Sequence, residues 1–179
     1  MKKIMFTLLA ACAICATAQA SAVDWGFGTK NTSTAADGAT VYLILGTAGT
    51  YESVADVIAA SVDSATVSLS GSKYATGSQT WDTATGAVGS TASFSLVLVD
   101  SAATGYYVAA TGLTGTYYDP DDALTPRPQA MSKTVSTAIT SASLTSFSGG
   151  SDPGGAPEPT SGLLLLVGAG ILGLRRKRA

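Results

Sequence analysis

Ala92-Ser93-Phe94-Ser95-Leu96-Val97-Leu98-Val99-Asp100 is the stretch on which the fold turns. Phe94, Leu96 and Leu98 fall on one side of an extended chain, and Ser95, Val97 and Val99 on the other. That is the period of two of a β-strand. The next five positions, Asp100-Ser101-Ala102-Ala103-Thr104, are turn-like, and 105–111, with Tyr106, Tyr107 and Val108, reads as the hairpin partner.

Further strands lie on both sides of this hairpin. Val41-Tyr42-Leu43-Ile44-Leu45 is a short apolar run ended by Gly46, suited to a central buried strand. Ala65-Thr66-Val67-Ser68-Leu69-Ser70 alternates as a half-buried strand does. Asp24-Trp25-Gly26-Phe27-Gly28 opens as a first strand or its approach, 31–40 is loop-like, and 114–118 adds a strand. Residues 71–89 read as turn-rich, with Tyr74 and Trp81 as isolated aromatics. The prolines of 120–128 break the pattern, and 138–147 has room for one last strand. One helix is expected: Ser53 can cap it, Asp56 completes a capping box, and Val54, Val57 and Ile58 share a face before it fades at 60–62. Six or seven short strands and one helix predict a mainly β module, either a small antiparallel β-sandwich or an α+β sheet layer. No fixed-length repeat is present.

Composition narrows the chemistry. The chain has no histidine, and its two cysteines, Cys12 and Cys15, lie near the N-terminus. Outside that stretch, Ser-His and Cys-His catalysis, disulfides and the usual zinc ligand sets are excluded. All twelve acidic residues lie from Asp24 to Glu158, whereas only Lys30, Lys73, Arg127 and Lys133 are basic between 21 and 159, giving 4 − 12 = −8 for that segment. Such a surface repels phosphate backbones, so no nucleic-acid partner is expected.

Both ends read as processing segments. Lys2 and Lys3 precede an apolar stretch over 4–16, and Ala18-Gln19-Ala20 then gives small-x-small before Ser21. This is the order of a secretory signal peptide, too short for a permanent span, whose partners would be the secretion translocon and signal peptidase. Cleavage is expected after Ala20, or after Ala22 as the second choice. Leu9-Ala10-Ala11-Cys12 offers a competing lipoprotein reading, with Cys12 very early in the apolar run.

At the other end Pro157-Glu158-Pro159-Thr160-Ser161 precedes an uncharged run over 162–174, then Arg175-Arg176-Lys177-Arg178 and Ala179. As a helix the run would span roughly 20 Å at about 1.5 Å per residue, short of a hydrocarbon core of about 30 Å. The basic cluster would stay cytoplasmic and leave the bulk of the protein outside. Pro157 and Pro159 hold their neighbours extended and stop a helix from propagating backwards, presenting a strip a protease can grip. This arrangement closely resembles the sorting signal of PEP-CTERM proteins, the substrates of exosortases. The resemblance is confined to 157–179. It implies a membrane-embedded, Cys-dependent transpeptidase that cleaves near 157–160 and transfers the protein to a surface component. An uncut tail anchor is the competing reading.

The resulting organisation is a signal peptide over 1–20, a β-rich module over 21–148, a Gly/Pro/Ser linker over 149–156 and a sorting signal over 157–179. A signal helix and a membrane helix would flank the module. Three candidate sites lie within it. Asp119, Asp121 and Asp122 could hold calcium, but lack the spacing of a dedicated loop, which favours a solvated turn. Asp82, Asp100, Asp119 and Glu52 supply carboxylates for a hydrolase without marking a pair. Trp25, Trp81, Tyr106, Tyr107, Tyr117 and Tyr118 could stack on a surface polysaccharide, with core packing the favoured use. Asn31-Thr32-Ser33 fits a glycosylation acceptor, a weak signal in a bacterial setting. The expectation is a surface or extracellular-matrix protein without catalysis, cofactor or metal. A carbohydrate- or partner-binding module is the alternative.

Overall fold

The structure is a computed structural model that describes residues 20–148 except 84 and 125. In chain order its elements are β1 (Ser21–Lys30), β2 (Thr40–Leu45), α1 (Val54–Ala60), β3 (Ser61–Thr66), β4 (Ser68–Ser70), β5 (Lys73–Thr83), β6 (Thr91–Val99), β7 (Gly105–Thr116), β8 (Met131–Val135) and β9 (Thr145–Ser146). The strands form two sheets, ordered β4-β5-β1-β8 and β3-β2-β6-β7-β9. The sheets pack over one shared core. Val23, Trp25 and Phe27 come from the first sheet; Val41, Leu43, Phe94, Leu96 and Leu98 come from the second.

The alternation that predicted β6 has a consequence on both faces. Phe94, Leu96 and Leu98 enter the shared core. Val97 and Val99 join Ile44, Tyr51, Val57 and Tyr106 in a second apolar cluster on the opposite face. The helix covers that cluster. Ser53 accepts from the Asp56 amide and the Asp56 carboxylate accepts from the Ser53 amide at 2.9 Å, completing the expected box. Val57 is buried and Val54 packs beside it, but Ile58 is 53% exposed, so the expected three-residue apolar face shrinks to two.

Five expectations are corrected. The single strand read over 65–70 is two strands in different sheets, β3 and β4. Val67 lies between them, buried, its amide bonded to Ala39 O at 2.8 Å. The turn-rich 71–89 contains an eleven-residue strand, β5, paired along nearly all of β1. Its register shifts opposite Phe27 and Gly28, and Gly77 there has φ +73°, a conformation that suits glycine. The bulge flips the alternation, so Tyr74 and Trp81, seven positions apart, both pack against the core. The strand expected at 114–118 is the far half of β7, whose own irregularity includes Gly112 at φ +68°. The last strand, expected across 138–147, is only the two-residue β9 after a 3-10 turn, and an unexpected strand, β8, forms at 131–135. β8 also runs parallel to β1, so the sandwich is not wholly antiparallel.

No helix among the described residues is long and apolar enough to cross a membrane. The segments expected to form a signal helix, a linker and a membrane helix over 162–174 lie outside the described residues.

Candidate functional site

The residues named for N-terminal processing meet the fold at its first strand. Ala20 is exposed, and Ser21 is the first residue of β1 and fully buried. The Ser21 hydroxyl donates to Thr83 O at 2.9 Å. Ala22 exchanges two backbone hydrogen bonds with Tyr118, at 2.8 and 3.0 Å, which tie the end of the β7 segment to β1. Ala18 lies outside the described residues, as do Pro157, Glu158, Pro159, Arg175, Arg176, Lys177 and Arg178.

Several carboxylates act as local hydrogen-bond acceptors. Asp100 accepts from the amides of Thr104 and Gly105 and from the Thr104 hydroxyl, at 2.8–2.9 Å, and thereby closes the β6–β7 turn. Asp63 Oδ2 accepts from the indole of the fully buried Trp25 at 2.7 Å, across the two sheets. Asp24 Oδ1 accepts from the hydroxyls of Thr80 and Tyr118, each at 2.7 Å. Burial first, and donation to Asp24 second, raise the Tyr118 hydroxyl above its ordinary pKa, while Thr80 and the Arg127 guanidinium pull the other way. Arg127 lies 5.3 Å over the Tyr118 ring. In the acidic cluster the Asp121 amide donates to Asp119 and the Leu124 amide to Asp122, both at 2.9 Å. These are turn-forming bonds. Among the described residues no three His, Cys, Asp or Glu side chains gather as metal ligands. Glu52 and Asp82 are exposed, on the loop before α1 and on β5.

The six aromatics considered for a sugar platform are buried or half-buried, and Tyr117 and Tyr118 also line a surface concavity. Trp25, Tyr106, Tyr117 and Tyr118 are buried, and Trp81 and Tyr107 are half-buried. Trp81 meets Phe94 edge-on at 6.0 Å, and Tyr117 lies 6.4 Å from Phe94. Tyr106 meets Tyr51 edge-on at 5.2 Å in the second cluster.

Concavities are also present among the described residues. One, about 130 Å³, lies between Val88, Tyr117, Tyr118, Asp122, Pro126 and Pro128. Another, about 190 Å³, is a trough on the first sheet lined by Gly26, Gly28, Lys73, Gly77, Lys133 and Thr134, among others, with no acidic residue. Sequence reasoning missed this trough. The alternation Trp25-Gly26-Phe27-Gly28, large residues inward and glycines outward, is the one signal that marks its floor. The lysines are far apart in the chain and only the sheet brings them together.

The exported class rests on the C-terminal end. The PEP-CTERM protein-sorting motif matches residues 156–178. That span contains Pro157, Glu158, Pro159 and all four residues of the basic cluster, and it marks the chain as carrying an exosortase-type sorting signal. The match is confined to this segment and does not reach the β-sandwich. Comparison with curated proteins and with solved structures found no match to the chain.

Proposed function

We propose that this is a surface or extracellular-matrix protein, exported by a cleaved signal peptide and sorted by an exosortase-type transpeptidase, with a sandwich that performs no catalysis. The observation that carries the reading is the sorting motif over 156–178. In the proposed path the 162–174 helix holds the chain briefly in the membrane and the basic cluster keeps the C-terminus inside. The enzyme then cuts near 157–160.

Two features support the finer parts. Cleavage after Ala20 keeps the Ser21 bond to Thr83 and both Ala22 bonds to Tyr118; cleavage after Ala22 removes all three. A non-catalytic sandwich suits the use of Asp24, Asp56, Asp63 and Asp100 as caps and acceptors. The test replaces Pro157, Glu158 and Pro159 together with alanine in the native cell. The reading expects the tail, including Leu163 to Leu166, to stay on the variant and the protein to accumulate in the membrane fraction. Release of the variant with the same C-terminus as the wild type would sink the sorting assignment.

A further inference from the structure

β1 is the first strand in the chain, yet it lies inside its sheet, between β5 and β8. Its first two residues, Ser21 and Ala22, are fully buried, and Val23 beside them belongs to the core. Ser21 and Ala22 pair with Thr83 and Asp82 of β5. The Ser21 hydroxyl donates to Thr83 O, and the Ala22 backbone both donates to and accepts from the Tyr118 backbone. Ala20, one residue earlier, is exposed. The bond expected to be cut for signal removal therefore sits where exposed chain enters the sandwich, and the residues on its C-terminal side are held in place.

A protease takes its substrate as an exposed, extended segment and binds backbone on both sides of the scissile bond. Susceptibility follows the burial and hydrogen bonding of that backbone rather than its position in the sequence. Here the amide and carbonyl of Ala22 are already engaged by Tyr118. Presenting the Ala20–Ser21 bond in a cleft means lifting the start of β1 out of the sheet. That breaks three hydrogen bonds and uncovers Ser21, Ala22 and Val23. Cleavage of the folded chain then follows the population of the opened form. At roughly fivefold for each hydrogen bond, the three alone lower that population about a hundredfold. Chain order adds a time to this barrier. In the proposed path the junction emerges first, whereas the groups that hold it come later: Thr83, then Tyr118, then β8.

We infer that folding of the sandwich closes the Ala20–Ser21 bond to signal peptidase, so that the signal is removed only before Tyr118 and β8 have joined β1. This rests on the reading of 1–20 as a cleaved signal. The experiment offers purified bacterial signal peptidase the uncut full chain in detergent, either folded or diluted from urea just before the enzyme is added. The new N-terminal peptide is followed by mass. The inference expects a peptide beginning at Ser21 from the diluted chain, and release about a hundredfold slower from the folded one. Tyr118→Pro, which takes away the amide that donates to Ala22 O, should speed cleavage of the folded chain about fivefold or more. Equal rates from folded and diluted chain would overturn the inference and leave the signal reading standing. No cleavage after Ala20 or Ala22 in either state would overturn both.

Discussion

The two sheets share a core but use their outer faces differently. Ser95, Val97 and Val99 on the outer face of β6 are buried under α1 and its flanking segment. On β1 of the other sheet the outward positions include Asp24, Gly26, Gly28 and Lys30, beside an open trough. One sheet is therefore a structural slab with apolar side chains on both sides. The other is half slab and half surface, with its side chains stripped back or charged. A fold of this size has one modest core to spend, and here the apolar residues are concentrated in β2 and β6. The first sheet is thereby left with an open face.

Substitutions can break that contrast. The largest effect is expected at Phe94, fully buried between the sheets and edge-on to Trp81. Phe94→Ala should cost about 3–5 kcal/mol in urea unfolding. Next come matched changes on the two outer faces. Val97→Ala, under the helix, should cost about 1–3 kcal/mol, whereas Thr134→Ala, beside the trough, should stay within about 0.5 kcal/mol. Equal costs at those two positions would erase the distinction between slab and surface.

Tyr118→Phe removes the bond to Asp24 and should cost about 1 kcal/mol near neutral pH. The folded state raises the pKa of this hydroxyl, so it favours the neutral form. That contribution is complete below the unfolded value of about 10 and is lost as pH rises through the folded value. The stability gap between wild type and Tyr118→Phe should accordingly narrow in alkaline melts. A gap that widens with pH would contradict the assignment. A modest loss is expected at Ser53→Ala, about 0.5–1 kcal/mol, because the capping box is exposed. A loss there as large as at Val97 would mean that α1 nucleates its sheet rather than merely covering it.

The same division explains how much was legible in the sequence. β2 and β6 could be read because each carries a run of large apolar side chains with an unbroken period. The cap at Ser53 and Asp56 could be read because its chemistry is local. β5 could not, because the bulge at Gly77 reverses its alternation and its inward residues are mostly small or polar. The split at Val67 was hidden because a strand that changes sheets keeps its period on both sides of the switch. β8 was missed because Met131 and Val135 are its only buried residues. The trough is a product of pairing between distant strands and has no contiguous motif. The sorting signal, by contrast, is read by an enzyme as a linear segment, and so it can be read as one from the sequence.

The most direct test of the central claim is intact mass with terminal peptide mapping of the native protein, from cells and from medium. The account predicts an N-terminus at Ser21, loss of everything beyond about Pro159, and an added mass from the surface component. A chain that begins at Ser21 but retains Leu163 to Ala179 would be a plain membrane-anchored protein, and would contradict it.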